Sequence, residues 1–453
     1  MNYLNQGSPI YKKFCHYMAA LGPFEEKPVV AIGLSGGKDS LALACLLNTW
    51  VSERGGKLIA LTVDHGLRVE SREEAVWVQE WCLSQNIEHH ILTGQLTSNI
   101  QNIQKYARLL RYNLMSEWCQ NQGIFHLCIA HHLQDQVETF WLRLERGSGV
   151  EGLASMPIVT EKTYCRIIRP LLFFSVDELK TLLQSFHQEW LNDPSNKNTQ
   201  YRRNYWRAIF EKHTPCETDS NKKIYTTSIN IAQSCTFLDH ETDLMLAKYV
   251  CVYNEGYLSV SKDIFSLHDE IIYRVLRRCL MSMKGDFYPP RQESLFRMIG
   301  LLLKGKTQTL ARCKFYNRKR EVLIAREFST IKRESFTEGL HWDSRFHLFA
   351  QKKRNIDIPL HFYKVLPLGQ ERWSVIKASH PNIVNHNIPS QVYWCLPRIL
   401  LDPTLGVDEY ECVPYLSKYK DVSDKHADFK MAFGLVPQLG VASVLRNAMA
   451  FKK

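Results

Sequence analysis

The sequence lacks any pair of cysteines in a C-x-x-C spacing, although it contains 13 cysteines in 453 residues. This absence argues against zinc ribbons, iron–sulfur sites and thioredoxin-like motifs. An odd number of cysteines without a framework spacing is typical of free thiols in a reducing compartment. We therefore expect a cytoplasmic protein.

The sequence also lacks long apolar runs. The longest, such as Leu41–Leu47, are far too short to span a bilayer. The N-terminal stretch Met1–Pro28 is mixed polar and aromatic, which is not the pattern of a signal peptide. Neither an internal repeat nor a long low-complexity segment is visible. These patterns predict that the protein does not associate with a membrane.

Charge is only weakly biased, with 57 Lys and Arg against 46 Asp and Glu and a net charge of +11. A polyanionic partner such as RNA would explain the excess of cations, and so would an ordinary basic soluble enzyme. The hydrophobic fraction of 45% is that of a globular protein. The length is sufficient for two to four domains, each with its own core.

Strand-like and helix-like segments alternate in the first part of the chain. This alternation predicts βαβ units, and therefore an α/β fold with a doubly wound, mostly parallel sheet of the Rossmann-like kind. The predicted strands are Val29–Leu34, Leu58–Asp64, Ile87–Leu92 and Ile124–Ala130, and the predicted helices are Asp39–Arg54, Ser71–Gln85, Asn99–Gln122 and His132–Arg146.

The alternation fades after about Phe210. The polar segment Glu211–Lys223 contains a proline and indicates a linker. Thr227–Leu302 is mainly helical in pattern, and the pattern turns strand-like from Leu310. We predict three domains: a catalytic α/β domain over 1–215, a mainly helical domain over 216–330, and a small α+β domain over 331–453.

A glycine-rich loop follows the first predicted strand and opens the next helix. Gly36 and Gly37 are expected to adopt positive φ and to let the backbone approach a ligand closely. Consecutive backbone N–H groups and the helix N-terminus would then surround a phosphate group. An ordinary strand–helix turn is the alternative. The side chains expected to add hydroxyl donors and a positive charge are Ser35, Ser40 and Lys38.

The loop motif, S-G-G-x-D-S, differs from the G-x-x-x-x-G-K-S/T loop that holds β- and γ-phosphates. It resembles the pyrophosphate loop of the ATP pyrophosphatases, the PP-loop superfamily, which split ATP between the α- and β-phosphates. The resemblance implies that ATP is bound by Ser35–Ser40, and that Asp39 helps to hold Mg²⁺ with the leaving pyrophosphate. It does not indicate the acceptor.

Polar residues also follow other predicted strands. His131, Asp135 and Glu138 would share one face of a helix, at positions i, i+4 and i+7. Ligands of doubly wound folds lie beyond the carboxyl ends of the strands. We therefore expect the glycine-rich loop, Asp64-His65 and these three residues to converge. A solvated polar start of a helix is the alternative.

Two arginine-containing segments suit phosphate contacts. Arg108 and Arg111 are one helical turn apart, although a surface helix with two cations has the same pattern. Arg203 and Arg207 are interleaved with aromatic residues such as Trp206, which suits phosphate contacts and base stacking. An amphipathic helix that packs its aromatic residues would look similar.

A basic segment near the middle of the chain is a candidate RNA-binding surface. Lys304–Arg320 contains seven cations and no acidic residue. Such runs neutralise phosphates and make binding sensitive to salt. A strand edge protected by lysines is the alternative. We select three of these cations as candidate RNA ligands: Lys314, Arg318 and Lys319.

Taken together, the motifs resemble those of the tRNA(Ile)-lysidine synthetases, one branch of the PP-loop superfamily. Order and spacing are similar over roughly residues 25–210. The matching segments are Ser35–Ser40, Val63–Arg68, Ala107–Tyr112, His131-His132, Asp135-Gln136, Glu138-Thr139, Arg146–Gly149, Arg169–Leu172, Asp193–Asn196 and Arg203-Asn204.

The resemblance implies ligation of free lysine to C2 of the first anticodon cytidine of one tRNA(Ile), which changes the codon read from AUG to AUA. It implies that Arg111 and Arg203 hold phosphate or an adenylated intermediate, and that His131 supports the ATP or Mg²⁺ site. It also implies a homodimer. The attacking lysine amine has a reference pKa of about 10.4 and must lose a proton. Asp135 and Glu138 suit that task as catalytic residues.

Two alternatives stay open. A tRNA thiolase of the same superfamily would usually need paired or catalytic cysteines, which this sequence does not space as C-x-x-C. A non-catalytic tRNA-binding protein would keep the fold without the reaction. The intact loop together with Asp39, Asp135 and Glu138 argues against the second alternative.

Overall fold

The computed structural model describes residues 7–64, 70–94, 103–154, 156–161, 165–191, 206, 217–285, 289–335, 337, 340–350, 362–401, 411–414 and 429–433. These residues form two compact units: unit 1 extends to Phe237, and unit 2 begins at Leu238. The domain limits expected at 215 and 330 remain predictions.

Unit 1 begins with helices and strands in alternation, as the sequence pattern predicts. Two of its helices start at serine caps: the Ser8 side chain accepts the Tyr11 N–H, and Ser175 forms a capping box with Glu178. The elements are α1 (Pro9–Ala20), β1 (Val29–Gly33), α2 (Lys38–Ser52), β2 (Lys57–Asp64), α3 (Glu70–Ser84), β3 (Glu88–Thr93), α4 (Ile103–Asn121), β4 (His126–Cys128), α5 (Leu133–Glu145), α6 (Val150–Leu153), β5 (Val159–Glu161), β6 (Arg166–Ile168) and α7 (Val176–Ser185).

The sheet of unit 1 has the order β3-β2-β1-β4-β6-β5. All neighbouring pairs are parallel except β5 with β6. The chain moves outward from β1 to β2 and β3, and then returns to the other side of β1 with β4. The strand order therefore reverses between β1 and β4, which is where ligands bind in doubly wound folds.

Apolar layers cover both faces of this sheet, which explains the near-continuous hydrophobic runs of its strands. Val30 and Ile32 of β1 pack with α2 and α7 in one cluster. Ala31 of β1 packs on the opposite face with Met115 and Cys119 of α4. Because the central strand is buried on both sides, the ends of β1 and β4 are held in fixed positions.

The segment expected to be a linker is partly helical. A long helix, α8 (Glu217–Tyr249), begins inside Glu211–Lys223 and contains the boundary between the units. The polar residues at the start of α8 were interpreted as a linker. The buried residues that indicate a helix, such as Ser228 and Cys235, come only later in the sequence of α8. Residues 211–216 lie outside the described residues.

Unit 2 combines helices with antiparallel sheets. The region expected to be mainly helical contains a hairpin at residues 250–261, whose second strand is buried. The elements are β7 (Val250–Tyr253), β8 (Tyr257–Ser261), α9 (Asp269–Lys284), α10 (Gln292–Leu303), β9 (Gln308–Leu310), β10 (Cys313–Asn317), β11 (Glu321–Arg326), β12 (Glu334–Ser335), β13 (Leu340–Trp342), β14 (Phe346–Ala350), β15 (Tyr363–Pro367), α11 (Gly369–Ser379), α12 (Ser390–Trp394), β16 (Pro397–Leu401), β17 (Glu411–Cys412) and β18 (Phe429–Phe433).

The strands of unit 2 form three sheets, with orders β7-β8-β11-β10-β9, β12-β15-β16-β17 and β13-β14-β18. A buried ion cluster joins elements of different sheets. The Asp343 carboxylate accepts hydrogen bonds from Arg326 and Arg345, and the Arg345 guanidinium also donates to the carbonyl oxygens of Gly256 and Cys395. Arg345 is fully buried, so these partners are what make its burial tolerable.

None of the helices in the described ranges combines the length and the apolar character that crossing a membrane requires. The cysteines in the same ranges are all free thiols.

Candidate active site

A cavity of about 400 Å³ lies in unit 1 at the carboxyl ends of β1, β2 and β4. Its position is the one expected from the reversal of strand order. Backbone and polar side chains of the glycine-rich loop form one part of its wall. The cavity brings together six of the residues selected from the sequence: Ser35, Gly37, Asp39, Ser40, Arg111 and His131.

The two loop glycines differ in conformation. Gly36 has φ of +75°, and an added Cβ would approach Leu191 Cδ1 to 2.6 Å. Gly37 has φ of −72° and caps α2, so the expectation of positive φ was wrong for this residue. An added Cβ at Gly37 would meet only Ser35 Oγ, at 3.6 Å, within the described residues. Gly36 therefore serves the turn, whereas Gly37 leaves space beside the cavity.

Ser40 holds the loop together. Its hydroxyl donates to the Gly37 carbonyl oxygen at 2.8 Å and accepts the Ser35 N–H at 3.3 Å. The Ser35 and Ser40 hydroxyl oxygens are 3.3 Å apart. Because the Ser40 proton is used by Gly37, the Ser35 hydroxyl is the one that can donate toward a ligand.

Asp39 and Asp135 are linked through a histidine that the sequence interpretation did not select. His132 Nε2 lies 3.5 Å from Asp39 Oδ2 and 3.6 Å from Asp135 Oδ2. Asp39 is in the first turn of α2, and Asp135 is in the first turn of α5. The paired-histidine motif could have indicated His132, since it directly precedes the helix that carries Asp135.

The electrostatics of this link favour a charged histidine. Burial disfavours the imidazolium, but the carboxylates of Asp135, Asp39 and Glu138 outweigh burial and raise the pKa of His132 above its ordinary value. His132 is 3% exposed and Glu138 is fully buried. The three carboxylates therefore favour the charged form of His132.

The start of α5 differs from the expected helix face. The helix begins at Leu133, so His131 precedes it and does not share a helical face with Asp135 and Glu138. The Asp135 carboxylate accepts the backbone N–H of His132 at 3.1 Å. His131 lines the cavity instead, and its Nε2 lies 3.1 Å from the guanidinium of Arg108, which does not line the cavity. Asp135, Glu138 and His132 do not line the cavity, and Asp135 is linked to the cavity-lining Asp39 through His132.

The remaining residues that were selected from the sequence do not all line the cavity. Arg111 lines the cavity, and Arg108 packs over the Tyr112 ring. Asp64 ends β2, but neither Asp64 nor Lys38 is among the residues that line the cavity. His65, Arg203 and Arg207 lie outside the described residues.

The cavity also contains residues that sequence patterns did not indicate. Thr62 and Glu74 add polar groups to the wall. Thr62 lies two residues before Asp64 on the same strand. This proximity is the only feature of the sequence that could have indicated that Thr62 lines the cavity. The apolar part of the wall includes side chains from five separate segments: Leu61, Val78, Met115, Ile129 and Leu191.

The family model of the PP-loop domain matches residues 9–213. A tRNA(Ile)-lysidine synthase of Wolbachia sp. subsp. Brugia malayi is 35% identical over 327 residues, which cover 70% of this chain and 76% of that protein. The chain belongs to the tRNA(Ile)-lysidine synthase family.

The similarity to this family extends beyond the PP-loop domain. The tRNA(Ile)-lysidine synthase of Orientia tsutsugamushi is 29% identical over 442 residues, which cover 94% of this chain and 97% of that protein. Among solved structures, a U34-tRNA thiolase of Methanococcus maripaludis matches 48% of this chain and 78% of its own, with 21% identity and a TM-score of 0.42. The PP-loop assignment agrees with the mostly parallel sheet of unit 1.

In this member of the tRNA(Ile)-lysidine synthase family, the basic segment forms part of unit 2. Lys314 lies in β10, where its ammonium group donates to Gln391 Oε1 at 2.9 Å. Arg318 and Lys319 lie in the turn between β10 and β11, and Lys319 is exposed. Lys314 is therefore engaged within the unit, whereas in the turn Lys319 is exposed and Arg318 is half-buried.

An aromatic pair connects α5 of this tRNA(Ile)-lysidine synthase family member with Trp206. The rings of Trp141 and Trp206 are stacked, with centroids 5.5 Å apart and planes at 19°. The Trp206 indole N–H also donates to Glu145 at 3.3 Å. Trp206 is thus partly used in packing, as the amphipathic-helix alternative expected.

Proposed function

We propose that this chain uses ATP to ligate free L-lysine to C2 of cytidine 34 in the CAU anticodon of tRNA(Ile). The product is lysidine, which changes decoding from AUG to AUA. The enzyme would be a ligase that forms a C–N bond. Family membership supports the proposal, and the observation that carries it is the link from Asp39 in the pyrophosphate loop through His132 to Asp135.

In the first step, O2 of cytidine attacks the α-phosphate of ATP and pyrophosphate leaves. This converts a poor leaving group on C2 into AMP. The cavity beside Ser35, Gly37 and the start of α2 would receive the pyrophosphate, since the N-terminus of a helix attracts anions. Arg111, which also lines the cavity, would stabilise phosphate charge.

The residues fit a magnesium ion. Asp39 Oδ1 is buried without a hydrogen-bond partner among the described residues, and a hard oxygen ligand of this kind suits Mg²⁺. Asp39 would hold the ion together with substrate phosphates. When bound, Mg²⁺ would neutralise charge on the pyrophosphate. His131, between β4 and α5, would support the same site.

In the second step, the lysine side-chain amine attacks C2 and AMP leaves. The amine must first lose a proton, because its reference pKa is about 10.4. Asp135 and Glu138 would bind the ammonium group and accept that proton. Their burial and their proximity to His132 support a catalytic role rather than a solvated helix start.

The tRNA would be held by both units. Arg203 and Arg207 of the catalytic domain, together with Lys314, Arg318 and Lys319, would contact its phosphates. The segments 216–330 and 331–453 would act as tRNA-binding domains. A homodimer in the cytoplasm belongs to the same proposal, on the basis of the family resemblance.

The deciding experiment uses unmodified tRNA(Ile), ATP, Mg²⁺ and isotope-labelled lysine. We expect the mass of the anticodon cytidine to increase by one lysine less one water, together with release of AMP and pyrophosphate. Pyrophosphate release without lysine incorporation would indicate a different acceptor reaction. Binding of tRNA without pyrophosphate release would indicate a non-catalytic tRNA-binding protein.

A further inference from the structure

Thr62 joins the cavity wall to a histidine on the neighbouring strand. It lies near the end of β2, is 8% exposed and lines the cavity. Its hydroxyl oxygen is 2.8 Å from the Leu34 carbonyl oxygen and 2.8 Å from His89 Nε2 in β3. The reaction steps above use neither Thr62 nor His89.

The direction of both hydrogen bonds follows from the number of protons that each group can donate. The Leu34 carbonyl oxygen can only accept, so the single Thr62 hydroxyl proton points to it. The Thr62 oxygen must then accept from His89, so His89 Nε2 carries a proton. His89 Nδ1 has no partner among the described residues, which agrees with an unprotonated nitrogen there.

The imidazole stays neutral over the working range of pH. Burial, with a smaller effect of His90, lowers the pKa of His89 to about 4. His89 therefore remains a one-directional donor to Thr62 near neutral pH. In this series of hydrogen bonds, His89 donates to Thr62 and Thr62 donates to Leu34, and no other arrangement of the protons is consistent.

Leu34 is the residue at which the strand becomes the pyrophosphate loop. Its N–H donates to the Leu61 carbonyl oxygen at 2.9 Å, although β1 itself ends at Gly33. Thr62 holds the Leu34 carbonyl oxygen, so both backbone polar groups of Leu34 are fixed to β2. The next residue is Ser35, whose hydroxyl can donate toward a ligand.

We propose that Thr62 and His89 are positioning residues that fix the first peptide of the pyrophosphate loop through the Leu34 carbonyl. His89 does not line the cavity and acts only through Thr62. The effect should appear in the binding of the nucleotide, since the Leu34–Ser35 peptide sets the direction of the loop. The inference rests on the proposed function in that it takes ATP as the ligand of this cavity.

The experiment compares Thr62→Val with Thr62→Ser, and His89→Leu with His89→Gln, in the full chain. Thr62→Val keeps the side-chain shape but removes the hydroxyl, which Thr62→Ser retains. His89→Leu removes the N–H donor of the imidazole, whereas His89→Gln retains an N–H donor. We expect Thr62→Val and His89→Leu to raise the Kd for ATP with Mg²⁺ by about tenfold, the scale of a lost hydrogen bond. Thr62→Ser and His89→Gln should stay within about threefold of the parent on that scale.

A matched control separates positioning from general loss of stability. Thr49 is another buried threonine of unit 1, and its hydroxyl donates to the Cys45 carbonyl oxygen within α2. Thr49→Val removes a buried hydroxyl away from the cavity, and we expect it to lower the melting temperature without changing the Kd for ATP. If Thr62→Val behaves in the same way, the proposed positioning role is refuted.

A double-mutant cycle tests whether the two residues act as one chain. We expect the effect of Thr62→Val with His89→Leu on the Kd to equal that of Thr62→Val alone, because His89 acts through the hydroxyl. If His89→Leu binds ATP like the parent while Thr62→Val does not, His89 has no positioning role and the proposed chain from His89 to Leu34 is wrong. Calorimetry with ATP and no tRNA gives this result even if the chain makes no lysidine, so the two proposals fail separately.

Discussion

Gly36 and Gly37 are adjacent in sequence but are constrained by different parts of the molecule. Gly36 is required by its backbone conformation and by the close approach of Leu191. Gly37 has an ordinary backbone conformation and borders the cavity. The sequence motif predicted the loop correctly but could not separate these roles, because φ depends on how Leu191 and α3 pack against the turn.

Substitution of each glycine by alanine should therefore give opposite results. We expect Gly36→Ala to destabilise the protein by about 1–2 kcal/mol, since an L-residue is strained at positive φ. Gly37→Ala should leave the melting temperature nearly unchanged but raise the KM for ATP, because the methyl group occupies space beside the cavity. Thermal unfolding and steady-state kinetics check the pair; equal effects on both quantities would contradict the separation.

His89 should make stability depend on pH. Its pKa is about 4 in the folded protein and 6.5 when unperturbed. Between these values the unfolded chain binds a proton that the folded chain does not, so the free energy of unfolding decreases as pH falls from 6.5 to 4. We expect His89→Gln to lose less stability than the parent between neutral pH and pH 4.5.

Chemical denaturation at several pH values measures this difference. His16→Gln is the control, because His16 is exposed on α1. If the parent and His89→Gln lose stability in parallel, His89 is protonated in the folded protein and its assigned tautomer is incorrect.

At the scale of elements, strand and helix types were predictable where patterns were long and periodic. The helices α2 and α3 begin and end within two residues of their predicted bounds, and α4 ends within one residue of its predicted end. The hairpin of β7 and β8 was not foreseen because its strands are short and lie between helices. The glycine-rich loop was expected to converge with the segment that follows β4, but the sequence could not show that His132, rather than His131, contacts Asp39.

Asp135 in helix α5 is expected to act on the lysine amine. Asp135→Asn keeps an oxygen that can accept the His132 N–H but removes the carboxylate charge. We expect lysine incorporation to fall by about 100-fold or more, the scale of general acid–base catalysis. Lysine-independent pyrophosphate release should fall much less, because Asp135 does not line the cavity.

Radiolabelled ATP and lysine measure the two partial reactions on the same tRNA. Glu145→Gln is a control on the same helix, beyond the acidic cluster. Equal loss of both partial reactions in Asp135→Asn would show that Asp135 serves the nucleotide step and not the amine.

For the protein as a whole, the basic segment of unit 2 is the surface expected to bind the tRNA phosphates. Arg318 and Lys319 lie in one turn, whereas Lys314 is engaged with Gln391. We expect Arg318→Ala with Lys319→Ala to weaken tRNA binding and to reduce the slope of log K against log salt by about 1.4–1.8, as expected for two lost phosphate contacts.

Filter binding at several salt concentrations gives that slope. The control removes two exposed lysines of unit 1, by Lys12→Ala with Lys180→Ala, and should leave the slope unchanged. An unaltered slope in the Arg318 and Lys319 variant would remove this turn from the RNA-binding surface.

The ion cluster around Asp343 limits where the polypeptide can be shortened. Ending translation after residue 330 would leave the Arg326 guanidinium buried without its carboxylate, and would uncover Tyr257 and Leu323, which pack against Trp342 and Phe346. A fragment of that kind should be insoluble or degraded on expression. Limited proteolysis of the intact chain should accordingly release no stable piece that stops between β11 and β13.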